Sequence, residues 1–502
     1  MYPVVSVVSV VSQPHRTLRA FAASARSLAL ACACLMVLAG CAGTGGIAPR
    51  STLIDSTTVD PGAALRATQH DAGWPQRTWW NRLGDPRLNS LVERAVAGNP
   101  DMRIALARSE LAEAQATIAG AAMAPNIGSS GAFGRTRFPR LSTPQPIGGH
   151  TTWNNHIGVD LSYDLDLWGK NRAVLQGTLD SVQVAAADAR AVQLNLETSM
   201  VRAYVELALQ YALWDVNQAM LARQRRIYDI IRKRASRGLA SQLEVSQAQT
   251  PIPALLAQLQ QSEREIALVK NQIAVLGGDG PGAGERLQRP ALVLEAPIAV
   301  PASLPAELVG HRPDVVAQRW RVQAAAQGMK AAKADFYPNI NLVASLGLAS
   351  AAFGNIFTFV NSDAIGHSVG AAFSLPIFDG GRRQGNYGVA TSNYDLAVES
   401  YNKTVLAAFQ SVADQVISLQ SLTLQQTGIE EALLSAKRAY GLAEQGYRSG
   451  LTDYLNVLNT ENKLRRQQQS LALVQAGRLD AWARLMQALG GGFDATTAAS
   501  SE

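Results

Sequence analysis

Few side chains in this chain are spaced for chemistry, and those that are point to acylation and to a wetted wall rather than to turnover. The six histidines are scattered without metal-ligand spacing, and no HExxH, P-loop or GxSxG occurs. Nothing marks an enzyme, a metal or a nucleotide site. The three cysteines, Cys32, Cys34 and Cys41, all lie near the N-terminus, so no disulfide framework is available to the rest of the chain. Cys41 closes an apolar run, "SLALACACLMVLAG" from Ser27, directly behind Leu38, Ala39 and Gly40. A thiol so placed is suited to covalent acylation, and a lipid on Cys41 is the one non-protein group expected, with no other cofactor. Further on, in "WNNHIGVDLSYDLDL" from Trp153, Asp160, Asp164 and Asp166 alternate with Ile157, Val159, Leu161, Tyr163, Leu165 and Leu167. Carboxylates on one face of a strand and aliphatic groups on the other suit a boundary between water and an apolar phase, with the three aspartates lining the wet side.

The elements that must position these groups begin with a leader. Arg16, Arg19 and Arg26 precede the apolar run, which is too short to span a membrane, so residues 1–40 read as a signal peptide. Leu38 to Cys41 resemble a bacterial lipobox, in which the cysteine becomes the lipidated first residue. Ala42, where an acidic residue would resemble an inner-membrane retention signal, favours the outer membrane. The formal charge of +6 falls to about +3 without the leader's arginines, too balanced for a nucleic-acid partner. A content of 47% apolar but only 6% aromatic residues belongs to long helices rather than to a thick globular core.

The remainder is written twice, at a shift of about 212 residues. "SRGLASQLEVSQAQT" from Ser236 returns as "RSGLTDYLNVLNTEN" from Arg448, and "PNIGSSGAFG" from Pro125 as "PNINLVASLG" from Pro338. The predicted organisation is an N-terminal segment over 41–98, one copy over 99–277, a Pro/Gly-rich seam over 278–311, a second copy over 312–490 and a tail over 491–502. Each copy opens with a helix started by proline and continues with a β-hairpin, over about 126–167 and 339–377. A long helical hairpin follows, over about 169–277 and 380–490, with its reversal at Gly238 and Gly450. Glycine permits the positive φ that such a reversal needs. Pro251 and Pro253, absent from the second copy, should interrupt the first returning helix. "GHRPD" from Gly310 reads as a loop and helix start, with Arg312 pairing locally and no chemistry at His311. If the four strands cross a membrane they cannot close alone, because a barrel needs about eight, so several protomers must contribute.

These phrases, with "LAGC" from Leu38, "WWNRLGDPRLNSLVERAVAGNPDMRIALAR" from Trp79, "YDLDLWGKNRA" from Tyr163, "LPAELVGHRPDVVAQRW" from Leu304 and "SLPIFDGGRRQG" from Ser374, resemble the TolC-like outer membrane factors. The similarity is greatest to the NodT-type lipoprotein branch that serves drug-efflux pumps. The resemblance implies an α+β membrane protein, a homotrimer with a twelve-stranded β-barrel, four strands per protomer. A long α-helical periplasmic barrel and a mixed equatorial domain would continue it. It implies a passive exit duct, set in outer membrane lipid, that works with a periplasmic adaptor and an inner-membrane pump of the RND type. By the same resemblance, Arg237-Gly238-Leu239 and Ser449-Gly450-Leu451 dock the adaptor. The gate would lie at Tyr447, Thr452, Asp453, Asn456, Asn459 and Glu244. Asn456 and Asn459 stand where relatives often carry aspartates, and Asp453 and Glu244 are the local substitutes for that charge. Thr452 stands where Tyr447 usually finds a basic partner, a role left to Arg448 or to an arginine of a neighbouring protomer. A duct for protein secretion and a pore-less periplasmic coiled-coil scaffold are the rival expectations.

Overall fold

The computed structural model describes residues 43–55, 57–60, 62–63, 74–294, 308–352, 356–357 and 360–493. Cys41 and its leader lie outside the described residues, as do 295–307 of the seam and the tail beyond 493. Helix α1 (Pro86–Gly98) precedes the first copy. That copy runs α2 (Pro100–Ala121), β1 (Asn126–Arg137), β2 (Thr151–Asp164), α3 (Lys170–Ala235), α4 (Gln242–Gln249) and α5 (Pro251–Leu276). The same order returns as α6 (Pro313–Ala334), β3 (Asn339–Ala352), β4 (Ile365–Ser374), α7 (Arg382–Arg448) and α8 (Tyr454–Ala488). Among the described residues no helix is long and apolar enough to cross a membrane.

Helices α3 and α7 contain 66 and 67 residues without a proline, which at 1.5 Å per residue makes each about 100 Å long. The returning limbs differ. α8 is unbroken for 35 residues, whereas α4 stops at Gln249 and α5 restarts at Pro251. Pro251 and Pro253 have no N–H to give, and in the first turn of a new helix that loss is harmless.

The chain divides into two compact units. The first holds the sheet, with 117–177 and 325–395. Its strands lie in the order β1-β2-β3-β4, all antiparallel, so the β2 to β3 pairing joins the two copies. Register puts cross-strand partners on a common face. Ile127 lies opposite Leu161, Val159 opposite Leu346 and Ile340 opposite Phe373, which makes one apolar face, much of it exposed. Asp160 lies opposite Ser345 and Ser345 opposite Ser368 on the other face, where Ser130 Oγ donates to Asp160 at 3.2 Å and the two serine hydroxyls meet at 2.8 Å.

One expected strand residue is elsewhere. β2 ends at Asp164, and Asp166 stands in the turn beyond it with φ +44°. Its buried carboxylate accepts from Asn171 N at 2.8 Å, Arg172 N at 3.0 Å and Arg172 Nε at 3.2 Å. Burial disfavours the charge, but these donors outweigh it and hold the Asp166 carboxyl below its usual range. Asp166 therefore closes the strand-to-helix turn and is not part of the strand face that carries Asp160 and Asp164. Alternation in the sequence runs on past the strand's end, so the pattern alone puts Asp166 on the same face as Asp160 and Asp164. Asp379 does the same work before α7, accepting from Gly381 N and from Arg383 Nε at 2.7 Å.

The second unit carries the larger core. Trp79 is buried edge-on to Trp80 and Trp482, with ring centroids 5.7 and 5.3 Å away, and Leu88, Met200, Leu207 and Leu485 are also fully buried in this unit. Arg312 pairs with Asp314 at 2.7 Å and donates to Ala488 O, and His311 stacks on Trp74 and meets Phe493 O, so both tie the loop before α6 to the end of α8. Buried Asp85 caps α1 and also accepts from Tyr204 Oη at 2.6 Å and Ala291 N at 2.8 Å. Tyr204→Phe leaves that carboxylate short of a donor in the core. We expect a loss of about 1–3 kcal/mol, read as a lowered midpoint in thermal unfolding of the purified protein.

Candidate functional site: the two hairpin tips

The second unit contains both helical reversals, and they are built alike. After α3, Leu239 N donates to Arg234 O at 2.9 Å and Gly238 N to Ala235 O at 2.9 Å, with Gly238 at φ +74°. After α7, Leu451 N donates to Gly446 O at 2.8 Å and Gly450 N to Tyr447 O at 3.1 Å, with Gly450 at φ +71°. This paired bonding satisfies the last carbonyls of each long helix and requires a left-handed residue at the glycine. A Cβ added at either glycine meets nothing within 4 Å, so the demand is conformational, not steric crowding. The leucine behind each glycine is left outside, Leu239 64% and Leu451 84% exposed. Neither side chain belongs to the buried core. Arg237 and Ser449 are exposed beside them.

The returning helices start on polar caps. Ser241 and Glu244 form a reciprocal capping box, Ser241 N donating to Glu244 Oε2 at 2.7 Å and Glu244 N to Ser241 Oγ at 3.2 Å. In the other copy Asp453 caps Asn456 N at 3.0 Å, and Asn456 Nδ2 donates back to Thr452 Oγ1 at 2.7 Å. Glu244 and Asn456 thus occupy equivalent third positions of their helices. Both Asn456 and Asn459 are exposed.

Beneath the turns, Ile231, Ala248, Tyr454 and Val457 form a buried cluster that joins the two hairpins. Gln224 Nε2 donates to Tyr454 Oη at 2.7 Å and to Ala248 O at 2.8 Å, and burial pushes the Tyr454 phenol up to about 12. Tyr447 packs edge-on against Tyr454, with centroids 6.0 Å apart. Its cation is Arg234, whose guanidinium lies 5.3 Å from the Tyr447 ring centre. Arg448 does not serve Tyr447: one turn back along α7 it pairs with Glu444 at 2.7 Å. The reason is helical geometry, since adjacent residues project about 100° apart while residues four apart share a face.

Sequence reasoning missed Arg234, Gln224 and one deeper group. Glu461, with no exposed surface, lies two turns below Tyr454 on α8, 3.4 Å from Arg223, and its Oε2 has no hydrogen-bond partner among the described residues. The signal was present in its spacing: 454, 457, 461 and 464 follow one helix stripe, where a glutamate interrupts apolar residues.

A four-stranded sheet with one apolar face and two long helical hairpins with glycine tips are the parts of an outer membrane efflux protein. The chain belongs to the outer membrane efflux protein family, whose model matches it twice, over residues 91–278 and 304–491. It is 43% identical over 361 residues to the fusaric acid resistance protein FusA of Burkholderia cepacia, a match covering 71% of this chain and 68% of that one. It is 30% identical to the multidrug resistance outer membrane protein MdtQ of Escherichia coli O157:H7, covering 91% and 96%. Among solved structures it is similar to the outer membrane protein VceC of Vibrio cholerae, with a TM-score of 0.78 at 32% identity, covering 84% of this chain and all of that one. The protein is an outer membrane efflux protein.

The buried acid has a measurable consequence. Burial pushes the Glu461 carboxyl up, against the pull of Arg223. The folded protein therefore keeps this proton to higher pH than the unfolded chain does, and the group's contribution to stability falls as pH rises above about 4.5 toward neutrality. Glu461→Gln should remove that part: between about pH 5 and pH 7.5 its thermal midpoint should fall less than that of the unmutated protein.

Proposed function

We propose that three copies of this chain close one twelve-stranded barrel in the outer membrane, continued by their long helices as a gated periplasmic tunnel. The sheet supports this above all. Its four strands carry one apolar face, and β1 and β4 have no partner on their outer sides among the described residues. In hydrocarbon those edges must pair, and other copies can pair them. Asp160 and Asp164 then face the lumen, opposite the aliphatic side. A lipid on Cys41 holds the N-terminus to the same membrane, and no other cofactor and no catalysis is involved.

The tips receive a periplasmic adaptor, which connects the duct to an inner-membrane pump of the RND type. The exposed Leu239 and Leu451 are its apolar contacts, presented at a fixed angle by Gly238 and Gly450. Opening is an untwisting of the tip helices, resisted by Arg234 on Tyr447 and by the Tyr454 cluster. The cargo is small toxic compounds, in keeping with the resistance names of FusA and MdtQ.

Two experiments test this. Gly450→Val forces a β-branched residue to positive φ at a cost of about 1–2 kcal/mol, whereas asparagine tolerates that region. Gly450→Val should lose drug resistance in a strain lacking its own duct, with the protein still in the outer membrane, and Gly450→Asn should keep most of it. Full resistance with valine would remove the docking role of this turn. In planar bilayers, Asn456→Asp with Asn459→Asp should raise cation selectivity, since exposed carboxylates at a constriction concentrate cations. Unchanged selectivity would place these side chains away from the narrowest point.

A further inference from the structure

Where β2 leaves the sheet and β3 joins it, the first unit contains a groove of about 650 Å³. Trp168, Arg172, Lys330, Lys333 and Tyr337 line it. Trp168 stacks on Tyr337 with centroids 4.8 Å apart, and its Nε1 already donates to Pro338 O at 2.7 Å. Both rings nevertheless stay almost half exposed, 49% and 41%. Of the acids nearby, Asp166 pairs with Arg172 and Asp335 with Lys170 at 2.6 Å, while Asp164 accepts from Asn339 Nδ2 at 3.2 Å and from Asp166 N at 2.9 Å. Lys330 and Lys333, three residues apart and so on one face of α6, are exposed and form no ion pair among the described residues. Two uncompensated ammonium groups thus sit beside two amphipathic rings, four residues beyond the end of β2 and two before the start of β3.

The fold does not demand this set. The corresponding positions of the other copy hold Thr117, Gly120 and Ala124 in place of Lys330, Lys333 and Tyr337, and Gly380 in place of Trp168. The same strand-to-helix passage is made there without a cation or a ring at any of the four places.

We propose that this groove binds the headgroup of an anionic phospholipid of the periplasmic leaflet, with its phosphate between Lys330 and Lys333 and its glycerol and first methylenes against Trp168 and Tyr337. The assignment rests on the sheet being the membrane wall, because the groove then lies at headgroup level. Indole and phenol rings prefer that depth, and lysines there attract acidic lipids. A soluble anion would use the lysines but have no need of the exposed ring faces.

The test uses the full-length lipidated protein, freed of lipid in mild detergent and titrated in native mass spectrometry. The probes are phosphatidylglycerol, phosphatidylcholine of the same chains, and glycerol 3-phosphate. We expect phosphatidylglycerol to be retained about fivefold or more over phosphatidylcholine, roughly the worth of one well-placed lysine. Lys330→Gln with Lys333→Gln should erase the preference, and Lys330→Arg with Lys333→Arg should keep it. Equal retention of the two lipids, an unchanged preference in the glutamine variant, or displacement by an equal concentration of glycerol 3-phosphate would each overturn the proposal. Bilayer conductance of the same preparation separates the two readings. A preparation that conducts without a lipid preference removes the groove's role alone, and one that prefers phosphatidylglycerol without conducting removes the channel alone.

Discussion

A backbone amide in hydrocarbon has no water to bond, and in the proposed channel this constraint governs the sheet more than any side-chain contact does. Among the described residues no helix is long and apolar enough to cross a membrane, and in the proposed trimer it is the strands that span it, their N–H and C=O groups satisfied only by neighbouring strands. The β2 to β3 ladder meets half of the demand by joining the hairpins of the two copies into one sheet. The outer sides of β1 and β4 carry the other half, and in the proposed trimer a neighbouring protomer meets it. Duplication thus doubles the number of strands that each copy of the chain would bring to the proposed barrel.

The same saturation rule governs the ends of the helices. A helix of 66 residues still leaves four terminal carbonyls unpaired, and each long helix here closes them with a left-handed glycine and a returning N–H. At the opposite end, Asp166 and Asp379 accept from the first N–H groups of α3 and α7 and bring an arginine with them. Four similar devices, two per copy, fix where strand becomes helix and where helix turns back.

The copies differ where function is expected to differ. The first returning helix is broken at Pro251 and the second is continuous. Glu244 and Asn456 hold equivalent places, one in a capping box and one bonded to Thr452. Arg234 lies on the first hairpin and Tyr447 on the second, so their contact joins two elements that a symmetric pair would not need to lock. Lys330, Lys333 and Trp168 likewise lack counterparts in the other copy. In the proposed gate, divergence of this kind would let one backbone plan supply both a static and a movable half.

The sequence by itself determined the local chemistry of the chain: the duplication, the strand alternation through Asp164, the uninterrupted helices, the glycines at 238 and 450, and the break at Pro251. The duplication is legible because the letters themselves recur, and the others because backbone freedom, missing donors and side-chain period act along the chain and need no distant partner. Only the tertiary structure decided which groups meet across long separations. It withdrew Asp166 from the strand, gave Tyr447 the cation Arg234 instead of Arg448, and placed Glu461 at Arg223. It also brought Trp168 against Tyr337, 169 positions away. Those pairings depend on how long helices and distant loops pack, and no residue's own period records its partner.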